Sequence, residues 1–315
     1  MIESKITKML NIKYPIFQGG MAWVADARLA AAVSEAGGLG TIGAGNAPAS
    51  HVAQEIDLLR TLTDKPFAVN IMLMSPHSED LAQLVIDKKV PVVTTGAGNP
   101  GKYMDKWNEA GIKVIPVIPS VGIAKRMESY KAFAVVAEGC EAGGHIGELT
   151  TMALIPQVVD AVDIPVIAAG GIGDGRGVAA AFMLGAEGVQ CGTKFLTVYE
   201  ASVHQNYKDR IIGAKDIDTI STGKRLGHPV RALKNPFSRN FFKLEYDSSV
   251  SNEDLEKEGS GALRIAVQEG DWQKGCFMAG QVAGLITKEQ STKEMIEELF
   301  NEAEQVLKGA SKWVK

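Results

Sequence analysis

Apolar residues along the first two hundred positions gather in short β-branched runs, each followed by glycine or polar residues and then by a stretch of helical period. The runs occupy 14–18, 40–43, 67–71, 92–95, 114–118, 134–138, 165–169 and 188–191. Their starts recur every 20 to 31 residues, which fits repeated right-handed strand–helix–strand units and a parallel sheet covered on both faces. The stretches 26–35, 48–62, 79–87, 103–110, 123–130 and 177–184 carry amphipathic or small-residue helical patterns. Eight such units favour closure into an α/β (β/α)8 TIM barrel. An open doubly wound sheet usually has fewer strands and a glycine fingerprint on its first turn.

After Thr197 the rhythm breaks. Helical period returns over 203–214, but the chain then becomes irregular and mixed in charge, with Gly227-His228-Pro229-Val230 and an acidic run over 252–258. That stretch is too long for a plain loop, so a small cap domain over 200–275 is expected, inserted after the eighth strand. Residues 1–199 and 276–315 form the barrel, the long amphipathic stretch 288–308 packing back on it.

Composition narrows the class. In 315 residues, 45% are hydrophobic and 22% charged, as in ordinary globular proteins. The net charge of −4 is spread without a basic stripe, so nucleic acid is not an expected partner. Three scattered cysteines, at 140, 191 and 276, make neither a disulfide framework nor a CxxC pair and fit a reducing, cytoplasmic compartment. Charges interrupt the N-terminal apolar residues, and no run reaches the roughly 18 apolar residues of a spanning helix. No membrane association is expected.

In a parallel barrel the chemistry lies at the carboxyl ends of the strands. The seventh run is followed by Gly170, Gly171, Gly173 and Gly175 and then a helix; the eighth carries Gln190 and leads into Gly192 and Thr193. Glycines there let backbone N–H groups reach a phosphate, and the helix N-terminus adds partial positive charge. Tight βα turns would account for one such loop; two at neighbouring strand ends point to phosphate. The single GxGxxG match, 38–43, flanks and enters a strand and does not fit a dinucleotide turn.

Beyond the sixth run stands His145, among Gly143, Gly144 and Gly147. A histidine at that place can polarise an oxyanion or move a proton near neutral pH; a loop histidine bonded to backbone is the alternative. Cys140, five residues away, reads better as a small apolar residue than as a nucleophile. The other histidines, 51, 77, 204 and 228, have no zinc-protease spacing, so no metal is expected, although His228 could line the cap. Asn70, Thr95 and Glu138 lie at strand positions from which they could bond a polar cofactor, and the backbone of 18–22 offers a surface for a flat ring.

Six segments together resemble the FMN-dependent enoyl-acyl-carrier-protein reductases of bacterial type II fatty-acid synthesis, which share a superfamily with the nitronate monooxygenases. They are PIFQGGMAWVAD (15–26), NIMLMSP (70–76), TTGAGNP (94–100), AEGCEAGGHIG (137–147), AAGGI (168–172) and MAGQVAG (278–284). The resemblance covers nearly the whole chain and is poorest over 219–258. It implies FMN as cofactor, NADH or NADPH as co-substrate, an acyl-carrier protein bearing the enoyl group as partner, and a homodimer. It implies phosphate contacts at Gly170, Gly171, Gly192 and Thr193, and flavin contacts at Gly20, Met21, Ala22, Asn70, Glu138, Gly143, Gly144 and Gln190. His145 is the implied active-site histidine, with Met278 and Gln281 returning from the cap over the flavin. The glycine–histidine run is common to both subfamilies, so nitroalkane oxidation is the alternative activity; a phosphosugar isomerase or a non-catalytic flavin binder would use the same phosphate loops.

Overall fold

The computed structural model describes residues 2–314. Eight parallel strands form the predicted barrel: β1 Ile16–Gln18, β2 Gly40–Gly43, β3 Phe67–Met72, β4 Val92–Gly96, β5 Lys113–Ile118, β6 Val135–Glu138, then, after the short β7 Gly144–His145, β8 Val166–Ala169 and β9 Gly188–Cys191. Around the sheet the order is β1-β9-β8-β6-β5-β4-β3-β2. The ring closes where Phe17 bridges Leu39 and the Gln18 N–H donates to the Leu39 carbonyl at 3.0 Å. The buried Gln18 side chain completes the seam. Its Oε1 accepts the Thr41 N–H at 3.2 Å and its Nε2 donates to the Thr41 carbonyl at 2.9 Å, satisfying a polar group that burial would otherwise penalise.

Side chains alternate across each strand. One set, including Val69, Ile71, Val93, Val114 and Val135, packs outward under the helices. The other fills the barrel: Phe17, Ala68, Val92, Ile115, Val136 and Ile167. Ile6, Leu10 and Ile12 belong to this inner cluster, brought there by a short helix, Lys5–Leu10, whose N-terminus is held by a Ser4–Thr7 capping box. That helix plugs the amino end of the barrel and leaves the carboxyl end for the site.

Helices lie at each of the six expected stretches, for example Ala49–Leu62 and Gly175–Met183. A further one, Thr151–Val159, follows the β6 loop. The 38–43 glycines prove to be packing devices: a Cβ on Gly40 would lie 1.8 Å from the Ala30 carbonyl oxygen of the helix Ala27–Glu35, which rests directly on β2.

Beyond β9 the chain makes a 3-10 turn, Thr193–Thr197, and the helix Gln205–Ile212, then β10 Thr219–Thr222 and β11 Val230–Leu233, followed by the helices Pro236–Glu245, Asn252–Gly259 and Ala262–Glu269. β10 and β11 pair antiparallel, and β7 joins them as the third strand, Val230 opposite His145 and Arg231 opposite Gly144. The irregular segment thus hides a small sheet, completed by two residues of the β6 loop. The closing helix, Thr292–Lys308, starts four residues later than its pattern suggests because Ser291 and Glu294 form a capping box. It packs on Gly175–Met183, where a Cβ at Gly175 would meet the Ala303 nitrogen at 2.5 Å. No described helix is long and apolar enough to cross a membrane.

Candidate active site

At the carboxyl end of the barrel lies a cavity of about 480 Å3, lined by residues from the ends of all eight barrel strands and the loops after them and roofed by residues of 227–229, Leu263 and 278–282. Of the residues singled out from sequence, Gly20, Met21, Ala22, Asn70, Glu138, Gly143, Gly144, His145, Gly170, Gly171, Gln190, Gly192, Thr193 and Met278 line it. Gln281 does not. It opens the 3-10 turn Gln281–Leu285 with an exposed side chain, and only its backbone is engaged, donating to the Glu141 carbonyl at 2.9 Å. The turn carries Gly280 and Val282 to the cavity and aims Gln281 away. Thr95 sits inside β4 and is buried but outside the lining, whereas Gly96 and Ala97 beyond it face the space.

The floor is built on close backbone approach. A Cβ on Gly20 would lie 2.2 Å from Asn70 Cγ, so the 19–22 backbone rests against the Asn70 amide, itself held by an Nδ2–H donated to Thr94 Oγ1 at 3.0 Å. Gly170 and Gly171 have φ of 86° and 72°, a left-handed pair that turns the chain sharply after β8. Among the described residues, the N–H groups of Gly171, Ile172 and Gly192 donate to no protein acceptor. Unpaired donors on adjacent loops at a cavity wall make a place for an anion.

Glu138 ends β6 with its carboxyl on the cavity and without a hydrogen bond or ion pair to any described residue. Burial pushes it up to about 8, so near neutral pH it keeps its proton and acts as a donor. Glu141, which the sequence reading passed over, also lines the cavity. Its carboxylate accepts the Thr151 N–H at 3.0 Å and the Thr151 hydroxyl at 3.0 Å, capping the helix Thr151–Val159. Only its position, three residues after Glu138, hinted at a second acid there.

His145 is fixed by the β7–β11 ladder rather than carried on a free loop. Its ring stands edge-on to that of His228, centroids 6.2 Å apart at 79°. The imidazole is exposed to the cavity it lines. Burial, and secondarily the neighbouring His228, hold it below the usual histidine range, so the neutral ring prevails at pH 7. Behind β7, the Arg231 Nε–H donates to the Cys140 carbonyl at 3.0 Å, fixing the loop. Burial pushes the Cys191 and Cys276 thiols up to about 12, where they are inert as nucleophiles.

The roof is tied down at several points. Thr193 Oγ1 accepts the Gly280 N–H at 2.9 Å and Tyr207 donates its hydroxyl proton to the Met278 carbonyl at 2.7 Å. Ala232 of β11 bridges Met278. Gly143 and Gly280 cross in van der Waals contact: a Cβ on Gly143 would be 2.7 Å from the Ala279 carbonyl carbon, and one on Gly280 2.7 Å from the Glu141 carbonyl oxygen. Among the described residues no group of histidine, cysteine or carboxylate ligands is arranged to hold a metal ion.

The family model described as "Nitronate monooxygenase" matches residues 3–84 and 81–302. A probable nitronate monooxygenase of Staphylococcus saprophyticus is 37% identical, the match covering 97% of this chain and 99% of that protein. FabK from Thermotoga maritima, a solved structure, is 48% identical with a TM-score of 0.97 over the whole of both chains. A nitroalkane oxidase from Streptomyces ansochromogenes is 30% identical with a TM-score of 0.87 over 96% of this chain and 99% of that one.

Proposed function

From the premise that this chain belongs to the nitronate monooxygenase family, we propose that it is an FMN-dependent enoyl-thioester reductase, taking reducing equivalents from NADH or NADPH and using an acyl-carrier protein as donor of the 2-enoyl group. The observation that carries the choice within the family is the likeness to the enoyl reductase FabK over both entire chains, at 48% identity against 37% and 30% for the relatives named for nitro compounds.

The residues present fit FMN. The unpaired N–H groups of Gly171, Ile172 and Gly192, beside the Thr193 turn, suit its phosphate. The 20–22 backbone, with Asn70 and Gln190 beneath, offers a flat polar seat, and the protonated Glu138 suits an acceptor atom of the ring system. Met278 and Gly280 line the cavity from the returning segment and would lie over the other face of a bound ring. Bound FMN would supply the two-electron hydride chemistry that no side chain here can perform.

Reduction of a 2-enoyl thioester adds hydride at the β-carbon and a proton at the α-carbon, with negative charge growing on the thioester oxygen in between. His145 is suited to that oxygen: a neutral imidazole on the cavity wall donates one N–H to charge that develops there. Residues 200–275, with Leu263 and the 227–229 strap, would then shape the acyl pocket.

A second reading is favoured by the same imidazole. A neutral ring is a competent base for the carbon beside a nitro group, and the Staphylococcus and Streptomyces relatives are named for such chemistry. Anaerobic absorbance of the flavin-loaded protein separates the readings. NADH or NADPH should bleach the flavin and a 2-enoyl thioester should restore it. Failure of the thioester to reoxidise it, together with oxygen uptake that depends on a nitroalkane, would overturn the reductase reading.

A further inference from the structure

His145 lies on β7 opposite Val230, His228 stands two residues before β11, and both line the same cavity; no described residue hydrogen-bonds the His228 side chain. Its position is nevertheless built. The 3-10 turn Lys224–Leu226 sits between Gly223 and Gly227, at φ of 80° and 81°. The buried Glu245 carboxylate accepts the Gly223 N–H at 3.0 Å and the Arg225 N–H at 2.8 Å. Pro229 follows, and its carbonyl accepts the Ile146 N–H at 3.0 Å. The strap is therefore held by its backbone, and the imidazole is left free to face the cavity.

The spacing of the two rings is informative. A direct N–H···N bond would hold the centroids roughly 5 Å apart or less, and here they are 6.2 Å apart. An oxygen bonded to one imidazole lies roughly 4 Å from that ring's centre. Two such legs across 6.2 Å meet at an angle of about 100°, near the lone-pair directions of a carbonyl or enolate oxygen. We propose that His228 is a second catalytic residue, donating an N–H to the same substrate oxygen as His145, so that the pair clamps the oxygen on which negative charge develops.

The surroundings suit neutral donors. The other titratable groups lining the cavity are Glu138, Glu141, Cys191 and Tyr207. Burial keeps Glu138, Cys191 and Tyr207 protonated near neutral pH, Glu141 is occupied by Thr151, and Arg231 is turned to the Cys140 carbonyl. Among the described residues no carboxylate is bonded to either imidazole, which leaves both N–H groups for an acceptor on the ligand.

The inference rests on the reductase reading for its substrate, and the test keeps the two apart. Flavin-loaded His228→Ala and His228→Gln are compared with the parent in anaerobic reoxidation by a 2-enoyl thioester, in binding of propane-2-nitronate to the oxidised protein, and in the pH profile of turnover. His228→Ala should lower kcat about 10- to 100-fold with a smaller change in KM, while melting temperature and flavin affinity stay at the parent values. His228→Gln, which keeps an N–H donor, should recover part of the loss. The limb of the profile due to His145 should move to higher pH in both variants, since a neighbour whose charge disfavours the imidazolium is gone. Nitronate, which presents anionic oxygens, should bind about tenfold more weakly to His228→Ala. A parent protein that ignores the thioester sinks the reductase reading, and nitronate binding then judges the clamp alone. Unchanged nitronate binding, or unchanged kcat with an unmoved profile, overturns the clamp. So does a kcat loss matched by lost flavin or a lower melting temperature.

Discussion

Glu138 combines three properties seldom found in one carboxyl: cavity exposure at a strand end, no protein partner among the described residues, and a pKa pushed up to about 8 by burial. The raised value has a stability consequence. Between the ordinary glutamate range and pH 8 the folded state keeps a proton that the unfolded chain releases, so the contribution is full at low pH and is lost as pH rises through 8. Glu138→Gln, which keeps the shape and removes the titration, should melt with the parent near pH 5 and several degrees higher near pH 9, in flavin-free protein, at roughly 2–4 °C per kcal/mol. Equal melting temperatures at both pH values would contradict this. Most cavity residues were legible in the sequence because they immediately follow β-branched runs, and strand ends point where barrels keep their chemistry. Gln281 was not, since direction within a one-turn 3-10 segment follows no period a sequence displays. Glu141 was not, because its partner Thr151 lies ten residues away and the bond exists only once the chain has turned.

The crossing of the β6 loop with the returning 278–281 segment is the junction on which the roof depends. Both chains must be glycine at the contact, and a Cβ on Gly143 meets main-chain atoms rather than a side chain that could swing aside. Gly143→Ala should therefore displace Met278, cost about 1–3 kcal/mol of stability and weaken flavin binding about tenfold. Thermal melting and fluorescence titration with FMN would check it, and parent-like values in both would show that the junction yields. The barrel strands were readable from their periodicity, whereas β7, β10 and β11 were not. β7 has two residues, too few for any pattern, and its partner lies 85 residues on, Val230 against His145. The helix Thr151–Val159 escaped because Pro156 interrupts it and its residues are too uniformly apolar to show a face.

For the molecule as a whole, the number of units and their closure followed from spacing alone, and the seam at Gln18 and Thr41 is the detail that spacing could not supply. Nor could it supply the plug: the six residues of Lys5–Leu10 are too short to declare an amphipathic period. Ile6 is fully buried in the barrel's inner cluster, at the end away from the cavity. Ile6→Ala should cost about 2–4 kcal/mol in urea unfolding while KM and kcat stay at parent values; a fall in kcat would mean that strain travels the length of the barrel. At the opposite end, the two-residue strand carrying His145 has a different kind of consequence. Since that strand is stitched to β11 rather than to the barrel, the histidine is on loan to a segment that supplies only the roof strap 227–229 of the cavity. Changes in 219–233 that reshape the strap would also re-aim the imidazole, so the shape of the roof and turnover in this scaffold should be inherited together.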